Sequence, residues 1–263
     1  MVFDIEIFSQ QFMNVVDWML TDVNVSYIRD DIRYLKGNSG KLQSEPDSLD
    51  AFKLVIELIK TNSWRLRKPS DFDSRLKNFV EKYGLNFRVE KAKEELFRLV
   101  GEAKKKNVEQ FLEYPTIKDF TDNLYNLAKI GKSVVLGEKG RDNYLRDFGY
   151  WDRIPIDRHE MRFIIRSGIY HACSVRSNSD SLEKGDLQDA LSRFCSQFLK
   201  NCKVDYIDLG NAPGIVDLFI WSYSAEGRYN ICGATPKCEN CKLKDVCLYA
   251  ITNKSFNNNK VYY

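Results

Sequence analysis

The sequence has few of the residues that interrupt regular structure: among 263 positions there are 14 glycines and 6 prolines. That scarcity excludes collagen-like and low-complexity chains and leaves long segments able to run as helix. No internal repeat is present, and the one biased stretch is the Asn-rich tail Asn253–Lys260. No segment approaches the roughly 18 apolar residues of a membrane-spanning helix. The opening residues, Met1-Val2-Phe3-Asp4-Ile5-Glu6, carry acids where a secretory leader carries lysine or arginine. A cytoplasmic chain without a membrane partner is therefore expected. A net charge of +3 is too small to identify a nucleic-acid partner, so local clusters must carry that argument.

What is present is a core-forming composition, 43% hydrophobic and 29% charged, long enough for one large domain or two small ones. Apolar residues recur at three and four spacing over 8–36 (Phe12, Val15, Val16, Met19, Leu20) and over 48–61 (Leu49, Phe52, Val55, Leu58, Ile59). Helices are also predicted over 70–83, 89–106, 116–130, 140–148, 158–167, 180–201 and 213–226, the last with Pro213 at a favoured first-turn position. Strand signals reduce to short pieces such as Lys132–Leu136. The expected fold class is all-α.

Two basic clusters lie in the first half. Lys60, Arg65, Arg67 and Lys68 surround Trp64 with no acid among them, and Lys104-Lys105-Lys106 is expected to close a helix. The lysine run reads as a solvated helix end favoured by the macrodipole. An aromatic among arginines can contact phosphates and a base step, and it can equally be a half-buried core residue.

Seven cysteines are present. In a reducing compartment, clustered cysteines are metal or redox ligands rather than disulfides. Cys173, Cys195 and Cys202 are scattered and read as small buried apolar residues. Cys232, Cys238, Cys241 and Cys247 are separated by five, two and five residues. Thiolates ligate zinc or a [4Fe–4S] cluster. A zinc ribbon usually shows two separate Cys-x-x-Cys knuckles, whereas one such pair flanked at short range suits a loop around a cubane. Spacing alone leaves both open.

Between residues 116 and 149 two predicted helices are joined by a turn, Val134-Val135-Leu136-Gly137-Glu138, that leads to Lys139. Free N–H groups at the start of the second helix could hold a DNA phosphate. Beyond it, Ile154-Pro155-Ile156-Asp157-Arg158-His159-Glu160 places Asp157 three residues before Glu160, the pattern of a capping box. Plain readings exist for both residues: Asp157 as an N-cap, and Lys139 as a solvated first-turn lysine.

The joint occurrence of Gly137-Glu138-Lys139 and Ile156-Asp157-Arg158-His159, with Lys139 and Asp157 18 positions apart, resembles the helix-hairpin-helix superfamily of DNA glycosylases. Tyr144-Leu145-Arg146-Asp147-Phe148-Gly149 resembles the corresponding helix in its endonuclease III and archaeal 8-oxoguanine glycosylase branches. The four cysteines, with Asp217-Leu218-Phe219-Ile220-Trp221 and Gly227–Ile231 before them, resemble the cluster loop that ends the endonuclease III branch, one residue shorter in the first gap. The likeness covers about 116–168 and 213–249.

The resemblance implies a base-excision glycosylase and abasic-site lyase acting on damaged, oxidised bases in double-stranded DNA. Lys139 would be the nucleophile, Asp157 the essential carboxylate, and Cys232, Cys238, Cys241 and Cys247 the ligands of a structural [4Fe–4S] cluster. Gly137, Arg158, His159, Arg162, Lys242, Lys244, Asn62 and Trp64 are candidate DNA contacts, and Arg166 shares a helical face with Arg158 and Arg162. The implied layout is a six-helix-barrel-like subdomain over 45–170 and a second helical subdomain from 1–44 with 171–263, in a monomer associated with the nucleoid. Alternatives are a monofunctional glycosylase for mismatched or deaminated bases, and a non-catalytic iron–sulfur DNA-binding protein. One departure stands out. The family turn carries two glycines, and the first is Val135 here. A β-branched residue resists positive φ, so either a reshaped turn or a phosphate held by fewer N–H groups is expected, with Glu138 adding negative charge beside it.

Overall fold

A computed structural model describes residues 2–22, 27–38, 40–61, 71–132, 135–175 and 182–255. The class is all-α. The chain divides into two compact units, one formed by Met1–Arg33 with Ile156–Tyr263, the other by Tyr34–Pro155.

The apolar spacing over 8–36 resolves into α1 (Ile5–Thr21) and α2 (Tyr27–Asn38). Asp4 starts α1 by accepting the N–H groups of Glu6 and Ile7 at 2.8 and 3.1 Å, which satisfies two of the donors that a helix start leaves over. A short α3 (Lys41–Ser44) precedes α4 (Leu49–Thr61) and α5 (Asp71–Tyr83). The helix expected over 89–106 is two helices, α6 (Glu90–Val100) and α7 (Glu102–Leu112). They break at Gly101, whose φ of +86° and ψ of 160° belong to a region open only to glycine. Lys104–Lys106 therefore lie inside the first half of α7 and do not close a helix.

A capping box between Thr116 and Asp119 begins α8 (Ile117–Lys129), and Gly137 precedes α9 (Glu138–Asp147). The helices α4 to α9 enclose one core built on aromatic rings. Phe52 is fully buried at its centre, stacked on Phe87 at 4.3 Å and on Phe79 at 5.9 Å. Tyr144 is fully buried too, and its hydroxyl pairs with Thr121 Oγ1 at 2.7 Å.

The other unit continues with α10 (Arg158–Ser167), α11 (Ile169–Cys173) and α12 (Lys184–Phe198). A two-residue hairpin follows, β1 (Lys203–Val204) paired antiparallel with β2 (Ile207–Asp208), then α13 (Pro213–Ser224) and α14 (Leu248–Ser255). Phe12 of α1 meets Phe163 of α10 and Phe194 of α12 edge-on at 6.1 and 6.0 Å. Phe163 in turn meets Tyr223 of α13 at 6.3 Å. The whole of α10 thus packs with the chain's two ends, and the division falls at Pro155/Ile156 and Arg33/Tyr34 where the sequence pointed to 170 and 45. Among the described residues no helix is long and apolar enough to cross a membrane.

Phe52→Ala should cost about 3–5 kcal/mol, the usual loss for a buried phenylalanine. Urea unfolding measures it, and a loss under about 1 kcal/mol would show that the ring stack does not hold this core.

Candidate functional site

The residues singled out in the sequence fall in three places: the segment joining α8 to α9, the N-terminus of α10, and the loop between α13 and α14.

α8 and α9 pack against one another. α8 ends at Gly131, with φ +69°, and the Lys132 N–H returns to the Leu127 carbonyl at 2.9 Å. Lys132, Val135 and Leu136 are not in a strand, and the other two residues of the short strand expected there, Ser133 and Val134, lie outside the described residues. Val135 has φ +60°. The valine itself adopts the left-handed conformation that a glycine would take, contrary to the expectation that the turn avoids it. Such a seat costs of order 1–3 kcal/mol. Packing holds it: Val135 is half-buried against the core, and Leu136 beside it belongs to that core.

A second restraint comes from Arg141, which is 4% exposed. Its guanidinium grips both oxygens of Asp142 at 3.0 and 3.1 Å and donates to the Lys132 carbonyl, tying the joining segment to α9. Gly137, Glu138 and Lys139 form the exposed start of α9. A helix start leaves its first N–H groups without intrahelical acceptors and carries partial positive charge. Lys139 is the second residue of that turn.

Asp157 caps α10. Its Oδ1 accepts the His159 N–H at 2.6 Å, while its own N–H donates to Glu160 Oε2 at 2.8 Å, completing a capping box. Arg158 is exposed and Arg162 half-buried, while His159 is buried at 8% exposure. Arg166, on the same helix, is engaged with the cysteine loop. Its guanidinium donates to the carbonyls of Gly233 and Ala234 at 2.7 and 3.2 Å, anchoring the cysteine loop.

The cysteine loop is fixed at several points. The Lys237 N–H closes it on the Ile231 carbonyl at 2.8 Å. Cys238 starts a 3-10 turn, and Cys247 directly precedes α14. The Tyr223 hydroxyl and the Leu243 N–H each lie 3.4 Å from Cys241 Sγ, and the Cys247 thiol donates to the Arg166 carbonyl at 3.3 Å. Gly233 packs closely on Asn230: a Cβ there would lie 2.4 Å from Asn230 Oδ1, so that side chain would have to move.

Burial pushes the Cys232 thiol up to about 11, with the Arg166 guanidinium pulling it back down. Burial takes Cys247 up to about 12, with the neighbouring Cys232 and Cys241 adding to it, and raises Cys238 in the same way beside Cys241. Among the described residues, no set of three or more His, Cys, Asp or Glu side chains is arranged to hold a metal ion. In residue type alone the donors suit a thiolate-ligated cluster: four cysteines, a backbone N–H at Cys241 and the Arg166 guanidinium near Cys232.

Lys242 is exposed, with its ammonium 4.8 Å from the Trp18 ring centre, and Lys244 is half-buried. Asn62 and Trp64, with Arg65, Arg67 and Lys68, lie outside the described residues. Sequence reasoning missed Arg141, whose partners Asp142 and Lys132 are near in the chain, and Tyr223 and Asp217, whose parts depend on partners further away. It read Glu160 only as half of a capping box, and burial is what sets it apart.

Asp157→Ala should cost about 1 kcal/mol through the lost cap, and Asp157→Asn a few tenths at most, because asparagine caps as well as aspartate. Chemical denaturation of both variants measures this, and an equal loss in both would exclude the cap.

No family model, no curated protein and no solved structure matches this chain.

Proposed function

We propose that this chain is a DNA base-excision glycosylase with abasic-site lyase activity, acting on damaged, oxidised bases. The observation that carries the reading is in the sequence, the joint occurrence of Lys139 and Asp157 18 positions apart; Lys139 is exposed in the first turn of α9, and Asp157 caps α10. The four-cysteine loop supports it.

In this reading the damaged nucleotide leaves the stack, because its anomeric carbon cannot be reached inside the duplex. The neutral amine of Lys139 attacks that carbon, the glycosidic C–N bond breaks, and its electron pair leaves with the base. The sugar ring opens to a Schiff base on Lys139. Asp157 stabilises the positive charge that develops on the sugar and moves protons at it. Loss of a proton from the carbon next to the Schiff base then expels the 3′ phosphate by β-elimination. Backbone N–H groups at Gly137–Lys139, with Arg158, His159 and Arg162, would hold the DNA backbone, and Lys242 and Lys244 would add salt-dependent affinity. Cys232, Cys238, Cys241 and Cys247 would hold the [4Fe–4S] cluster, which shapes the loop and takes no part in base excision. The protein would act as a cytoplasmic monomer on nucleoid DNA.

A second reading is favoured by the capping box itself: Asp157 serves only as a cap, in a non-catalytic iron–sulfur DNA-binding protein.

Borohydride should trap a covalent complex between the chain and abasic duplex DNA, and the complex should vanish in Lys139→Gln. Absence of trapping on every abasic duplex tested would sink the lyase, and base release without trapping would leave a monofunctional glycosylase. Anaerobically isolated protein should contain roughly four irons and four acid-labile sulfides per chain. Zinc in place of iron would overturn the cluster assignment.

A further inference from the structure

Glu160 and Asp217 are the two most deeply buried carboxyls associated with the α10 cap, at 2% and 1% exposure. They come from α10 and α13, which pack against each other. Glu160 Oε2 accepts the backbone N–H of Asp157 at 2.8 Å, so Glu160 stands directly behind the proposed essential carboxylate, and the packing of α13 on α10 brings Asp217 within electrostatic reach of it. A glutamine at this position closes a capping box as well as a glutamate does. The cap therefore does not account for an ionisable residue buried at this position.

Burying two ionised carboxylates side by side combines a desolvation cost with like-charge repulsion, and the state of lower energy keeps one proton between them. Burial drives the Glu160 carboxyl well above the usual carboxylate range, followed by the charge of Asp217 and by the hydrogen bond and charge of Asp157. Beyond these, Cys195 of α12 faces Asp217, and burial, then Cys173 of α11, then Asp217 keep its thiol protonated. Arg166, on the last turn of α10, is held by the cysteine loop.

We infer that Glu160 is a positioning residue for Asp157, and that it forms with Asp217 one buried acid–carboxylate pair sharing a single proton. The inference rests on the reading of Asp157 as the essential carboxylate. The shared proton leaves the hydrogen bond to the Asp157 N–H in place without setting a third full negative charge against the carboxylate that must face the sugar. The linkage has a definite sign. A carboxyl raised in the folded state contributes stability that is complete below the ordinary carboxylate range and is lost as pH rises through the raised value.

The test is thermal unfolding from about pH 4.5 to about pH 9 for the wild type, Glu160→Gln, Glu160→Ala and Asp217→Asn, with the borohydride assay run over the same range. Glu160→Gln should melt with the wild type at the acid end and above it at the alkaline end. Asp217→Asn should flatten the profile in the same sense, and Glu160→Ala should melt lower throughout. Trapping by the wild type should fall on the alkaline side, and Glu160→Gln should remove that limit. Parallel melting profiles for wild type and Glu160→Gln, or equal losses in Glu160→Gln and Glu160→Ala, would overturn the pair. A flattened profile without trapping in any variant would keep the pair and reject the proposed chemistry. Trapping with parallel profiles would do the reverse.

Discussion

Helix α10 is tied down at both ends, and the organisation of its unit follows from that. At its start, Asp157 and Glu160 exchange hydrogen bonds that satisfy the first-turn N–H groups. At its end, the Arg166 guanidinium binds the Gly233 and Ala234 carbonyls and its backbone carbonyl accepts from Cys247, so its last turn and the cysteine loop form one piece. Between the ends, Phe163 sits among Phe12 and Tyr223. A shift of this helix along its axis cannot relax one end without straining the other. Charge-assisted bonds to backbone are among the stronger polar contacts, and Arg166 makes two of them.

The other unit solves a similar problem with buried charge. α9 is the most hydrophilic stretch of that core, yet Arg141, Asp142, Arg146 and Asp147 are all buried in it. Arg141 pairs with Asp142, while Arg146 pairs with Asp147 at 3.4 Å and reaches Asn143 at 2.9 Å. Buried ion pairs contribute little net stability, since desolvation offsets their attraction, but a pair that loses one member is strongly destabilised. Their effect is to define one arrangement. In α9 that arrangement ties the Lys132 carbonyl to the helix through Arg141.

Much of the fold was legible because helices are written locally. Residues three and four apart share a face, so α4, α5, α8 and α10 could be placed to within a residue or two. The break at Gly101 was not, because one glycine in a periodic run is compatible with a continuous helix until φ is known. The β1–β2 hairpin was missed because its turn uses Asp205 and Tyr206 at positive φ, where Asn-Gly would have announced it. At the site, the cysteine spacing and the capping box were readable since both are short-range. The anchoring role of Arg166 was not readable because its acceptors lie 67 and 68 residues away, and helical spacing says only which face a side chain starts from. Asp217 sits within an almost wholly apolar helix and gave no local sign that it lies behind the cap.

The two readings of Asp157, cap and chemistry, are compatible for a physical reason. A carboxylate that stabilises charge on a substrate must be held in one rotamer, because reorientation during the reaction would consume what it contributes. The cap supplies that restraint: the 2.6 Å bond from the His159 N–H pins Oδ1, and the bond from the Asp157 N–H to Glu160 fixes the backbone beneath it. The same N–H groups carry the positive end of the helix dipole toward the carboxylate and favour its ionised form. Two carboxyls buried close behind it act in the opposite direction unless one of them is neutral. The geometry of the cap thus sets a condition on the charge of the groups beneath it, and it is through this condition that packing between α10 and α13 reaches the residue at the head of the helix.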